Sequence, residues 1–299
     1  MGKRELEVGG PYLDTQLRDS QGLLGDPAGL RARLAEDGYL LFRGLHPRQR
    51  VLEARRAIIE HMAQAGALAP GSDPMDAVIQ PGAQPPGMMG RKGITHDPAV
   101  RAVLEGRPVF DFFTQLLGGE VLTYNYKWLR AVGAGGNTGA HYDVVYMGRG
   151  TVDKLYTVWT PFGDLPLELG TLAVIPGSHR LPGFERLRAT YGKMDVDRDR
   201  VVGGWISEDP IEVVEKFGGR WQTTAFQAGD VIVFGMFTMH GSTNNITSRY
   251  RISCDTRFQL AGEPVDERWA GDNPKGHYGW TSEPDKMVTV AAARKQWGV

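Results

Sequence analysis

Between Asp26 and Leu117 the apolar residues recur at helical spacing, and beyond Glu120 short runs alternate as strands do. A first helix is expected from Asp26 to Ala35: Asp26 can cap it, Pro27 suits its first turn, and Gly38 lies just past its end. A strand, Tyr39 to Arg43, follows. A second helix from Pro47 to about Ala65 puts Val51, Ala54, Ile58 and Met62 on one stripe, with Gly66 to end it. Asp97-Pro98 opens another, and Pro108 to Leu117 forms a further one closed by Gly118-Gly119. Candidate strands then recur at 121–131, 140–147, 154–160, 171–175, 230–239 and 249–259, separated by Gly-rich turns. Helices first and short strands afterwards predict a mainly β fold with flanking helices, its strands arranged as a double sheet or barrel.

Two stretches interrupt this pattern. Residues 70–93 are rich in Gly, Pro and Met and have no sustained period. A loop that long is either mobile surface or a lid over a site. Residues 181–220 read as an insertion between two strands, and their charge run, Asp195 to Arg200, reads as a solvated face. With no repeat and no clean linker, the expectation is one domain over 1–299. Its helical segment spans about 26–118, its β core about 120–260, and 261–299 forms a C-terminal extension.

Composition narrows the function classes. The chain is 41% hydrophobic and 23% charged, with 34 basic against 35 acidic residues, so nothing favours a nucleic-acid partner. Cys254 is the single cysteine, which rules out an internal disulfide and a cysteine-built cluster and fits a reducing cytoplasm. No apolar run has the length of a signal peptide or a membrane span. The partner expected is a small molecule, with no membrane; oligomeric state is not legible.

His141-Tyr-Asp143 falls in an expected strand, where residues two apart point to the same side. His240 follows 97 positions after Asp143, at the end of the apolar run Val231 to His240. Two imidazoles and one carboxylate that leave half of a metal's coordination sphere open are the donor set of non-haem iron(II) oxygenases. A His-X-Asp tripeptide alone is weak, because a lone strand-end His is usually a hydrogen-bonded side chain. The segment 249–258 adds weight. It sets Arg249, Arg251, Ser253, Asp255 and Arg257 on one side and Tyr250, Ile252, Cys254, Thr256 and Phe258 on the other. Its polar side either lines a barrel mouth, where a guanidinium can grip a carboxylate, or forms an outer charged face.

With these residues in view, the chain resembles the phytanoyl-CoA dioxygenase (PhyH) family of iron(II)/2-oxoglutarate oxygenases. The likeness runs from about Leu30 to Gln259 through Glu36-Asp-Gly-Tyr-Leu-Leu-Phe-Arg-Gly44, His141-Tyr-Asp143, Gly170-Thr-Leu-Ala-Val-Ile-Pro-Gly-Ser-His179-Arg180, Ala228-Gly-Asp-Val-Ile-Val-Phe234, His240-Gly-Ser242 and Arg251. It implies a double-stranded β-helix, the cupin-like jelly roll. It also implies iron(II) on His141, Asp143 and His240, with 2-oxoglutarate and O2 as cosubstrates. Arg251 would bind the far carboxylate of 2-oxoglutarate, with Ser242, Trp159 and Lys127 around it and Arg249 as the rival on the same strand face. His179 belongs to a turn motif, and His46, His61, His96 and His277 are not needed for the metal.

Related halogenases replace the ligand carboxylate by Ala or Gly, so the presence of Asp143 implies hydroxylation or a similar oxidation. Substrates of the family range from acyl-CoA thioesters to natural products. A secondary metabolite is favoured over an acyl-CoA, because no basic cluster stands out for the CoA phosphates. Candidate pocket residues are Tyr124, Tyr126, Arg130, Met147 and the pair Met88-Met89. Two other classes stay open: a non-catalytic jelly-roll binding protein, and a hydrolase in which zinc in the same triad activates water.

Overall fold

The computed structural model describes residues 1–278 and 286–299. After a two-residue strand β1 (Leu13–Asp14), the order is α1 (Pro27–Asp37), β2 (Tyr39–Phe42), α2 (Arg48–Gln64), α3 (Pro98–Leu104) and α4 (Arg107–Leu117). Then come β3 (Val121–Thr123), β4 (Trp128–Val132), the one-turn helix α5 (Val144–Met147), β5 (Tyr156–Pro161) and β6 (Leu172–Val174). The 181–220 insertion carries α6 (Glu185–Ala189), β7 (Val201–Val202) and α7 (Pro210–Phe217). The chain continues through β8 (Trp221–Gln222), β9 (Val231–Gly235), β10 (His240–Ser242), β11 (Arg251–Leu260), β12 (Val288–Thr289) and α8 (Val290–Trp297).

The helix ends follow their local chemistry. Asp26 accepts the Gly29 amide, Pro27 fills the first turn of α1, and Gly38 closes it at φ 80°. A Cβ on Gly38 would stand 2.5 Å from His179 Nδ1, so the glycine also admits that ring. His179 donates from Nε2 to the Ala35 carbonyl, which makes it the turn residue expected. Asp97 caps α3 through the Ala99 amide. The stripe Val51, Ala54, Ile58 and Met62 of α2 is fully buried.

Among the described residues the strands form two main sheets, with β7 and β12 paired apart from them as a parallel two-stranded sheet. The larger runs β2-β9-β5-β11-β3 with β4 also on β11, every pair antiparallel, and the smaller runs β1-β8-β6-β10. Side-chain alternation decides what each face covers. Leu40, Phe42, Val158, Val231, Val233 and Phe258 pack under α1 and α4, while Leu129, Ala131, Tyr250, Ile252 and Cys254 pack under α2 and α3. The opposite faces of β2, β5 and β9 send Tyr39, Leu41, Trp159, Ile232 and Phe234 against Leu172 and Val174 of the smaller sheet. The result is the expected jelly-roll architecture, two sheets facing across a core, without hydrogen-bonded closure of the sheets into one barrel among the described residues.

Four expectations need correction. The run 121–131 is two strands, because Tyr124 to Lys127 leave the sheet between β3 and β4. The run 140–147 is not a strand: only single bridges hold Ala140 and His141, and at Asp143 the chain coils into α5. The run 230–239 stops at Gly235, turns through the Thr238 amide to the Gly235 carbonyl, and re-enters as β10 in the other sheet. The charge run is only half solvated. Asp195 and Asp197 are buried, and both bind Arg268 of the C-terminal extension, at 3.1 and 2.5 Å.

Residues 70–93 are tied down rather than detached. Single bridges join Val78 to Arg249 and Gly90 to Lys127, and Met88 is buried.

Candidate active site

His141 and His240 are brought side by side by one antiparallel bridge between them, their ring centroids 4.0 Å apart. Each Nδ1 is held by a carbonyl two residues back in the chain, His141 by Gly139 at 2.8 Å and His240 by Thr238 at 3.0 Å. A carbonyl can only accept, so Nδ1 carries the proton and the Nε2 lone pair is free to bind a cation. Both Nε2 atoms lie 3.8 Å from Asp143 Oδ1, too far for a hydrogen bond. The ligand atoms of the three residues all lie within 4.8 Å of one another, the spacing for one ion about 2.0–2.2 Å from each.

Asp143 reaches this point through α5, not through strand alternation. Its backbone is already helical and its carbonyl accepts the Tyr146 amide, so the carboxylate leaves the first turn toward the two rings. Its second oxygen, Oδ2, is occupied by the Thr157 hydroxyl from β5 and by Arg257 Nη2 from β11 at 3.0 Å. Only Oδ1 is left for a metal. Burial alone would raise the Asp143 carboxyl, but Arg257, the two imidazoles and Thr157 hold it well below the ordinary range. Burial, then His240, pushes His141 down to about 3, so its ring is neutral and ligand-ready at physiological pH.

A cavity of about 330 Å³ opens over the three ligands. Along β11 it is lined by Arg251, Ser253, Asp255 and Arg257, so the polar face of that strand does point inward. Arg251 is buried, donates to the Gly170 carbonyl at 2.9 Å, and leaves Nε without a partner. Burial and then Arg130 bring its guanidinium down to about 10, still cationic at neutral pH. Ser242 lines the cavity and accepts the Thr138 amide at 2.8 Å, and Trp159 lines it with its ring against Phe226. Lys127 does not belong here. It is buried behind the sheet, on Glu105 at 3.0 Å and the Tyr124 carbonyl at 2.5 Å. Arg249, the rival to Arg251, pairs with Asp76 outside the cavity because β11 begins only at Arg251.

Of the pocket candidates, Tyr126, Arg130, Met147 and Met89 line the cavity, whereas Tyr124 is turned to Gln259 and Met88 into the core. Sequence reasoning missed several residues in the wall and behind it. Thr157 and Arg257 were visible only as members of alternating strands, and Trp128 lies under the Arg257 guanidinium at 4.4 Å. Trp205 comes from the insertion and closes on Gly139, where a Cβ would meet its ring at 2.7 Å. His277 comes from the C-terminal extension, held by Asp197 at 2.8 Å. No periodic signal marks residues delivered by irregular chain.

Among the described residues no helix is long and apolar enough to cross a membrane. No curated protein matches the chain in sequence. Solved structures match its fold. The epimerase SnoN, in complex with Fe3+, alpha ketoglutarate and nogalamycin RO, is 18% identical at a TM-score of 0.56, covering 83% of this chain and 94% of its own. The alpha ketoglutarate dependent carbocyclase SnoK from nogalamycin biosynthesis is 18% identical at 0.53, covering 78% and 84%. EctD from S. alaskensis is 19% identical at 0.55, covering 94% and 92%. The family model described as Phytanoyl-CoA dioxygenase (PhyH) matches residues 34–253, nearly the whole of the two-sheet core and its covering helices. The chain therefore belongs to the PhyH family of iron(II)/2-oxoglutarate-dependent oxygenases.

Proposed function

We propose that His141, Asp143 and His240 hold iron(II), that Arg251 with Ser242 and Trp159 holds 2-oxoglutarate, and that the enzyme oxidises a C–H bond of a small secondary metabolite. The observation that carries this reading is the convergence of two Nε2 lone pairs and one carboxylate oxygen on a single point, each ligand fixed from behind by its own partner. Two imidazoles and a monodentate carboxylate fit iron(II) and leave positions for a cosubstrate and O2. Bound there, iron(II) with 2-oxoglutarate supplies the O2-dependent oxidation, releasing succinate and CO2.

The chain's own residues do the positioning. Thr157 and Arg257 keep Asp143 monodentate, and the two backbone carbonyls keep the imidazoles in one tautomer. Arg251, buried and with donors to spare, offers a fork to a carboxylate entering between the sheets. Trp159, Trp128 and Leu172 exclude water around it. An intact Asp143 favours hydroxylation or a related desaturation or ring closure over halogenation. A secondary metabolite is supported by the aromatic wall of Tyr126, Trp128, Tyr146 and Trp205 and by structural relatives from nogalamycin biosynthesis.

Anaerobic addition of iron(II) and 2-oxoglutarate to the metal-free protein should produce the visible charge-transfer band of chelated cosubstrate. Activity supported by zinc without 2-oxoglutarate would overturn the reading, and a chlorinated product in the presence of chloride would overturn the hydroxylation part of it.

A further inference from the structure

Among the described residues five side chains with a formal charge line the cavity: Arg130, Arg251 and Arg257 against Asp143 and Asp255. On the reading just given, iron(II) and the dianion of 2-oxoglutarate cancel each other, so these five leave the wall with one positive charge over. An uncompensated charge in an enclosed site is costly, and a ligand of opposite sign relieves that cost. Arg257 is committed to Asp143, and Arg251 to the cosubstrate. Arg130 shares Asp255, but through one nitrogen of its fork only.

Its setting is that of a receptor. Arg130 stands on β4 opposite Ser253 of β11, two positions from Trp128 along the same face. Nη1 is held by Asp255, and the guanidinium makes no other hydrogen bond among the described residues. Its side chain keeps 38% of its surface accessible, and because the residue lines the cavity that surface opens into it. Asp255 thus fixes one edge of the fork and leaves the other edge presented. The same cavity is lined by Tyr126, Trp128, Tyr146 and Trp205, with the Arg257 guanidinium over the Trp128 ring.

We infer that the substrate is a monoanion, a carboxylate seated on Arg130 with a flat apolar body against Tyr126, Trp128 and Trp205. A phosphate monoester fits less well, since its charge of about −1.5 to −2 at neutral pH exceeds the single charge to be matched. This inference rests on the iron and 2-oxoglutarate reading above.

The test uses protein loaded with manganese(II) and 2-oxoglutarate, titrated by calorimetry with two matched pairs, 2-naphthoate against 2-naphthamide and cinnamate against cinnamamide. At least one acid should bind about tenfold or more tightly than its amide, the range of one charge-assisted contact. The double variant Arg130→Gln/Asp255→Asn, which leaves no unpaired charge behind, should reduce that preference to within about twofold while 2-oxoglutarate affinity stays within about threefold of the parent. Asp255→Asn alone frees the guanidinium and should increase the preference. The proposal is overturned if neither acid outbinds its amide, if the preference survives the double variant, if Asp255→Asn lowers it, or if the double variant loses 2-oxoglutarate as severely as Arg251→Gln. The anaerobic iron(II) band separates the two levels. Wild-type protein that forms the band without an acid preference breaks this inference alone, and protein that forms no band breaks the reading beneath it.

Discussion

The buried ionic clusters around Arg268 and Asp143 are built on opposite plans. Around Arg268 three carboxylates close in: Asp266 at 2.6 Å, Asp197 at 2.5 Å and Asp195 at 3.1 Å, with Arg149 on the far side of Asp195 and His277 on Asp197. Every nitrogen of the Arg268 fork donates to a carboxylate. Around Asp143 the partners satisfy one oxygen only, and the other faces two imidazole lone pairs at distances too long to bond. Saturation makes the first cluster a clasp between the insertion and the C-terminal extension. Convergence without saturation makes the second a socket. Burial and charge are common to both, so neither property by itself identifies a site.

The largest expected effect tests the socket. Asp143→Ala should reduce 2-oxoglutarate turnover to background and remove the iron band while the clasp and the fold persist, as followed by circular dichroism. Next comes the clasp: Arg268→Met leaves Asp266 without its arginine and reduces Asp195 to Arg149 and Asp197 to His277, and should cost about 3–5 kcal/mol in denaturant unfolding. Any of that variant that folds should still bind iron(II), which would be false if the two clusters were one functional unit.

His46 probes the comparison from a third side. It is buried with both ring nitrogens unpartnered, yet among the described residues no other ligand atoms converge on it, so it is neither clasp nor socket. Burial lowers its pKa from 6.5 to about 4. Between those values the unfolded chain binds more protons than the folded one, so stability falls as the pH drops from about 6.5 toward 4, by about 3 kcal/mol in all. His46→Phe should flatten that part of the stability profile. A profile unchanged by the substitution would mean that the ring is protonated in the folded state.

The smallest effect concerns what stands behind the socket. Arg257→Met and Thr157→Val each remove a donor from Asp143 Oδ2 and should weaken iron(II) binding by about 10–100-fold and less, respectively, with 2-oxoglutarate affinity at saturating metal little changed.

The sequence made parts of this legible for definite reasons. Helices α1, α3 and α4 carry their own punctuation in Asp26, Pro27, Gly38, Asp97 and Gly118, and β11 alternates so strictly that its polar and apolar faces could be separated, though not which way the polar one looked. The three proposed ligands were found, but the geometry first given for two of them was not the one present. His141 and Asp143 share a target because α5 begins at Asp143, and helix nucleation over four residues leaves no periodic trace. Lys127 was carried over by resemblance, and its position beside Glu105 shows that a matching place in sequence does not fix which side of a sheet a side chain leaves from. Trp205 and His277 arrive from irregular chain far along the sequence, where only the folded structure relates them to the cavity.

The sheet change between Gly235 and His240 has a mechanical consequence. His240 belongs to the smaller sheet and His141 is bridged to it, whereas Asp143 is tethered to the larger sheet through Thr157 and Arg257. An ion bound by all three therefore rivets one sheet to the other. Loading the metal should raise the melting temperature and slow amide exchange in β10 and β11 together, so that the empty protein breathes along the seam through which its cosubstrate must pass.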